Sequence, residues 1–375
     1  HMSSQHKGLA STLFATASAA LLFLLLPIVV GWISDQFQLD EQQVGLIVSI
    51  YFGGFLITSV IAYFAFGKVK NLTAIQLGYF LLVPGLVLCG LATSTLPLSI
   101  GLAFCGIGSG LLYGTGVSIV SAHTESERAF GGMVATQQVI ALALIYCLPV
   151  WIYPNYGYEA CWLILASIVS ITALSSTWIS CVEVNENEPA VVNSSRTATL
   201  GIVSLLFHFC LLSAVWTFIE RLGIERGFSS EDIALSLALS LAGGLAGALI
   251  AVTVGNRLGA LLPHIVSAIA FIASFYFLAL SSQWEAFLTS VIIFSAAWAY
   301  CLSYQMASIG NLSHRTAVLI PAVQGIGAML GPPLGGWIIG QSGYTSLLLS
   351  AAVVIAISSL AFCYQSKDNG RIQNV

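Results

Sequence analysis

The chain has 375 residues, of which 58% are hydrophobic and only 7% charged, with a net charge of −4 and a mean hydropathy of +0.94. A water-facing domain carries roughly 25% charged residues, so a soluble enzyme is excluded. The few Lys and Arg form no run suited to nucleic acid.

Apolar runs long enough to cross the hydrocarbon layer, about 20 residues each as a helix, recur twelve times. In chain order they cover 9–33, 43–66, 73–92, 98–121, 129–152 and 158–181. The second set covers 199–220, 233–255, 260–281, 285–309, 317–339 and 345–364. None shows the ten-residue alternation of a membrane β-barrel. The expectation is an all-α membrane protein with twelve transmembrane helices. The first run is too long for a signal peptide and lacks a small-residue cleavage motif, so it reads as the first span.

The longest polar stretch, from Glu183 to Thr199, separates the sixth run from the seventh. It divides the chain into an N-terminal six-helix bundle at 1–182, a cytoplasmic linker at 183–198 and a C-terminal six-helix bundle at 199–375. All other connections are short, so sequential helices pack antiparallel. No room remains for a nucleotide-binding domain, and no Walker-type Gly-x-x-x-x-Gly-Lys-Ser/Thr occurs.

The two halves echo each other. Tyr113 precedes Arg128 by fifteen residues, as Tyr300 precedes Arg315; Gln138 precedes Tyr158 by twenty, as Gln324 precedes Tyr344. The displacements are 187 and 186 residues. Membrane-length segments with this internal symmetry point to a transporter built from two parallel repeats. With the N-terminus cytoplasmic, Lys7, Lys68, Lys70, Arg128, Arg196, Arg257, Arg315, Lys367 and Arg371 fall inside, and only Arg221 and Arg226 outside. That asymmetry obeys the positive-inside rule with both termini cytoplasmic. The compact loops suggest a bacterial inner membrane, with a monomer as the expected state.

Two six-helix halves, a central loop and short Gly-rich loops after the second and eighth spans resemble the major facilitator superfamily over nearly the whole chain. Gln43-Val44-Gly45-Leu46 looks like the family's entry to its second helix. Residues 327–336, Gly-Ala-Met-Leu-Gly-Pro-Pro-Leu-Gly-Gly, match its Gly-x-x-x-Gly-Pro-x-x-Gly-Gly pattern. That pattern marks antiporters in the fifth helix; here it occupies the eleventh. Gly67-Lys68-Val69-Lys70 and Gly255-Asn256-Arg257-Leu258-Gly259 stand where the family's loop motifs stand. The resemblance implies that the first, fourth, seventh and tenth spans line a central cavity.

On the seventh span, His208 lies twelve residues beyond Arg196, about 18 Å along a helix, near the midplane. Intramembrane ionisable groups are costly and face bundle interiors, and histidine titrates near neutrality. His208 therefore reads either as a proton carrier and substrate contact or as a neutral histidine bonded to a neighbouring helix. Glu220 sits about 36 Å from Arg196, at the outer boundary. It reads as a proton-coupling carboxylate or as an interfacial partner of Arg221 or Arg226, with Trp216 beside it as an aromatic anchor or substrate contact. Asp35, at the outer end of the first span, presents the same two readings.

The tenth span carries Trp298, Tyr300, Tyr304 and Gln305. Tyr300 and Tyr304 share one helix face, and Trp298 and Gln305 share another. Aromatic bodies with polar tips suit a pocket for a small organic solute, or else pack neighbouring helices through hydrogen bonds. Tyr113 is the repeat mate of Tyr300. Gln137 and Gln138 on the fifth span and Gln324 on the eleventh carry amides that need partners in hydrocarbon, so they join the substrate candidates. The glycines at 106, 108, 110, 114 and 116 follow no β-strand, which excludes a dinucleotide loop; they allow close helix approach. The eight cysteines lie within or at the edges of apolar runs, without Cys-x-x-Cys, and read as small hydrophobes. No metal or cofactor is expected.

The expected activity is secondary active transport of a small organic solute by alternating access, coupled to protons, in a direction the residues leave open. No Lys or Arg interrupts the middle of a span, which favours a neutral, zwitterionic or cationic solute. The alternatives are a passive facilitator and a non-transporting sensor or assembly protein on the same fold. His-Glu-x-x-His, Gly-x-Ser-x-Gly and Gly-x-Gly-Asp motifs are missing, so the chain is not expected to be an enzyme.

Overall fold

The computed structural model describes residues 4–65, 68–121, 126–181, 196–258, 261–280, 282–310 and 314–372. Most of the expected linker, together with Gly67 and Gly259, lies outside them, as do the side chains of Arg128, Arg196 and Arg315. Every regular element among the described residues is helical. The first half holds α1 (Ser4–Leu24), α2 (Leu26–Phe37), α3 (Glu41–Ala65), α4 (Asn71–Gly90), α5 (Thr95–Ser121), α6 (Ser126–Cys147) and α7 (Tyr153–Ala173). The second holds α8 (Arg196–Glu225), α9 (Ser230–Val254), α10 (Leu261–Leu280), α11 (Trp284–Gly310) and α12 (His314–Ile372).

Ten stretches among the described residues are long and apolar enough to cross a membrane. Two of them, Gly132–Ile179 and Ala322–Tyr364, run to 48 and 43 residues, about twice the length one crossing needs. Each is broken at a single glycine: Gly157 has φ 77°, ψ −171° and Gly343 has φ 81°, ψ 174°. Only glycine occupies that region without strain. The two glycines are 186 residues apart, the same displacement that separates Tyr158 from Tyr344, so the repeat extends to an unusual backbone conformation.

Prolines mark two further departures from straight helix. The first apolar run is two helices, because Pro27 in the first turn of α2 has no N–H to give and crowds the carbonyl a turn earlier. Pro149 sits in a π-helical segment, Leu148–Ile152, that joins α6 to α7. Residues 174–181 follow α7 as a 3-10 segment.

The chain forms two compact units. Unit 1 comprises His1–Leu39 and Leu46–Glu188; unit 2 comprises Asp40–Gly45 and Pro189–Val375. In unit 1, α5 is the hub. A side chain on Gly106 would overlap the carbonyl of Tyr51, and one on Gly110 would overlap Thr58, both on α3. The neighbouring Gly108 lies against Gly78 and Leu82 of α4. In unit 2, Gly327, Gly331 and Gly335, spaced four apart on α12, lie against residues 206–218 of α8. The first turn of α3, which belongs to this unit, rests on the same helix: Gly336 meets the Glu41 backbone and Gly45 meets the Pro332 carbonyl. The Tyr344 hydroxyl donates to Glu41 Oε1 at 2.9 Å. Its repeat mate Tyr158 donates to the Cys89 carbonyl at 2.9 Å.

Candidate functional site

In unit 2 the long, mostly buried α8 carries His208, 1% exposed, against two other helices. His208 Nδ1 lies 3.3 Å from Ser358 Oγ on the second limb of α12. The ring meets Phe271 of α10 edge-on, centroids 5.3 Å apart, while Nε2 has no hydrogen-bond partner. One further imidazole, His264 of α10, is equally buried. It stacks on Phe362 at 5.2 Å, within electrostatic reach of His208. His264 starts only three residues into its helix, and a neighbouring helix covers it.

The tenth-span candidates divide into two clusters on α11. Tyr300 and Tyr304 pair edge to face at 5.0 Å, and the Tyr304 hydroxyl donates to the Gly255 carbonyl at 2.9 Å, tying α11 to the end of α9. Trp298 packs against Phe209 at 5.5 Å and Phe294 at 5.6 Å, which brings it beside His208's sequence neighbour. Gln305 is 0% exposed, and neither its amide oxygen nor its nitrogen has a hydrogen-bond partner. An unsatisfied buried polar group costs about 1–3 kcal/mol. Gln324 is half-buried on α12.

At the other end of α8, Trp216 is buried, and Glu220 Oε2 lies 3.4 Å from Arg221 Nε. Arg226 donates to the carbonyls of Leu278 and Ala279 at 3.0 and 3.3 Å.

In unit 1, Tyr113 of α5 packs against Phe55 of α3 at 5.4 Å. Phe55 in turn adjoins Tyr51 at 6.3 Å, and Phe52 meets Phe23 at 5.9 Å. Gln137 Nε2 and Gln138 Oε1 of α6 are buried without partners. Asp35 is exposed near the end of α2. The structure thus groups the candidates within their own units: aromatic pairs and buried amides in each, and, among the described residues, the buried imidazoles in unit 2. Phe209, His264 and Ser358 escape a sequence reading because their roles arise from tertiary neighbours.

An all-helical chain of membrane-length elements, with buried unpaired polar groups in each half, has the build of a membrane transporter. The model of the Major Facilitator Superfamily matches residues 9–320, and the chain belongs to that family. Among solved structures it is similar to a bacterial homolog of the human lysosomal transporter Spinster. The inward-facing, unoccupied form of that protein matches at 15% identity, covering 98% of each chain with a TM-score of 0.71. The inward-facing, occupied form matches at 15% identity, covering 97% of this chain and 96% of that one, with a TM-score of 0.68. At such identity the likeness establishes the fold. No curated protein sequence matches the chain significantly.

Proposed function

We propose that the chain crosses the membrane twelve times and moves a small organic solute by alternating access, driven by protons, from an inner membrane with both termini cytoplasmic. The family membership and the two-fold internal repeat support this reading, and the observation that carries it is the chemistry buried in unit 2. His208 sits beside groups that are uncharged or imidazole, with one ring nitrogen unpaired. A charge there is expensive until water or an anionic group reaches Nε2. Proton uptake is then tied to the state in which the site is open. Glu220 and Asp35 are the outer coupling groups in this scheme. Tyr113, Gln137, Gln138, Trp216, Trp298, Tyr300, Tyr304, Gln305 and Gln324 contact the solute.

The test begins with a thermal-shift screen of the purified chain against metabolites, then follows uptake of the best ligand into proteoliposomes. An inward-directed or outward-directed pH gradient is expected to drive accumulation that stops when the gradient is dissipated. His208→Gln should uncouple flux from the gradient while leaving ligand-induced stabilisation in place. Accumulation unaffected by the gradient would replace this reading with passive facilitation, and a ligand bound but never moved would replace it with a sensor.

A further inference from the structure

Unit 1 carries a groove of about 300 Å³ between α4 and the α7 segment with its 3-10 extension, lined by Gln76, Tyr79, Phe80, Val83, Ser170 and Ser176. Its surroundings are apolar and open: Phe80 is 72% exposed, and Leu77, Ile171 and Leu174 are exposed beside it. In a membrane span such a wall faces lipid. Two polar groups on that wall need partners. Gln76 is an exposed amide at a depth where an amide is costly to leave unpaired. Tyr79 is 5% exposed; its hydroxyl approaches the Ser18–Thr172 hydroxyl pair, themselves 2.8 Å apart, without forming a hydrogen bond.

Below the groove, α4 begins without a side-chain cap at Lys70. The first amide of its ladder is Ala74, donating to the Lys70 carbonyl at 3.1 Å, which leaves the N–H groups of Asn71, Leu72 and Thr73 pointing out of the helix end. Lys68 and Lys70 are exposed there. Nearby, Lys7 lies over the Trp178 ring at 6.0 Å, two residues past the groove residue Ser176. The carboxylates of unit 1 whose side chains the structure describes, Glu159 and Asp35, are at the opposite end. The Glu159 backbone adjoins Gly90 at the end of α4, and Asp35 lies in the last turn of α2, where Phe37 packs on Tyr158 at 5.9 Å.

Along α4 the chemistry therefore runs in a fixed order. Cations and free amide N–H groups come first, then the Gln76 amide about 7 Å further, then Phe80 and Val83 about 13–18 Å from the start. Phosphate, glycerol ester and acyl chain follow the same order in a phospholipid. A helix N-terminus favours an anion, and two exposed lysines beside it favour a net negative headgroup.

We propose that this groove binds one anionic phospholipid of the leaflet on the lysine side. The phosphate lies at the start of α4 with Lys68 and Lys70, the ester at Gln76, and an acyl chain along Phe80 and Val83. The bound lipid pins α4 to α7. The site requires only that the chain be embedded in a bilayer, and it stands whether or not protons drive transport. With the lysines cytoplasmic, the leaflet is the inner one.

The experiment uses the full chain in phosphatidylcholine nanodiscs doped with phosphatidylglycerol carrying a photoactivatable acyl chain. Crosslinks are expected to concentrate in peptides holding residues 76–83 and 170–176. Labelling there should fall about fivefold for each lysine removed in Lys68→Gln and Lys70→Gln, with thermal unfolding unchanged. Gln76→Trp, which fills the groove, should abolish that label and leave labelling elsewhere intact; if it fails to fold, the surface lysine variants carry the test. Labels spread evenly over the apolar surface would overturn the proposal. So would equal yield from photoactivatable phosphatidylcholine, or displacement of the label by inorganic phosphate.

Discussion

The pair α3 and α5 in unit 1 and the pair α9 and α11 in unit 2 occupy equivalent places in the repeat, and both are packed backbone to backbone. The glycines that permit this lie on opposite partners. In unit 1 they are on α5, where Gly106 and Gly110 receive α3; in unit 2 they are on α9, where Gly243 and Gly247 receive Ile292 and Ala296 of α11. What the two halves share is the closeness of the helices. Either partner can give up its side chain to achieve it.

The buried polar groups differ more deeply. Unit 1 buries hydroxyls: Ser11 with Ser175 at 3.1 Å, Ser18 with Thr172 at 2.8 Å, Thr58 on the Gly54 and Ile107 carbonyls at 2.8 and 3.0 Å. Such groups satisfy themselves on nearby helix carbonyls. Unit 2 buries two imidazoles and an amide with no partner on either atom. A symmetric scaffold thus carries asymmetric chemistry: among the described residues, the buried imidazoles lie in the second half.

The sharpest way to break the first comparison is to fill the close contacts. Gly106→Leu in unit 1 and Gly247→Leu in unit 2 should each cost about 3 kcal/mol or more and abolish a monodisperse peak in size-exclusion chromatography. Tolerance of one but not the other would show that the pairs are unequally tight. Next in size, Gly157→Ala and Gly343→Ala place a Cβ on backbones with φ 77° and 81°. Each should lower stability by about 1–3 kcal/mol, read as a drop in melting temperature of similar size for both. The two tyrosines after these glycines separate the units: Tyr344→Phe loses a bond to a carboxylate, about 2 kcal/mol, and Tyr158→Phe a bond to a neutral carbonyl, about 1 kcal/mol. Equal effects would mean that the Glu41 contact is no stronger than its counterpart. The smallest change has the opposite sign. Gln305→Leu removes an unsatisfied amide and should raise stability by about 1 kcal/mol, while impairing solute flux.

The membrane spans were legible because hydrophobic run length is set by the bilayer itself. The repeat was legible through pairs such as Tyr158 and Tyr344, whose spacing survived divergence around them. The same pairs hid their chemistry, since one hydroxyl meets Cys89 and the other Glu41, and only tertiary structure supplies those partners. Depth along a helix singled out His208, which is buried, and passed over His264, against which Phe362 is stacked. The Gly-x-x-x-Gly-Pro-x-x-Gly-Gly run was recognised as a pattern. That Gly327, Gly331 and Gly335 receive α8 while Gly336 receives the start of α3 depends on which face of the helix each glycine occupies.

The allegiance of Asp40–Gly45 also bears on how the gene can be cut. These six residues are encoded in the first half, yet they rest on α12 in the second. Dividing the open reading frame at the linker would put the short segment on one polypeptide and its seat on the other. The C-terminal fragment alone would then bare the naked backbone at Gly336 and strand the Tyr344 hydroxyl. Co-expression of both fragments, rather than either by itself, is the route to a soluble-in-detergent particle.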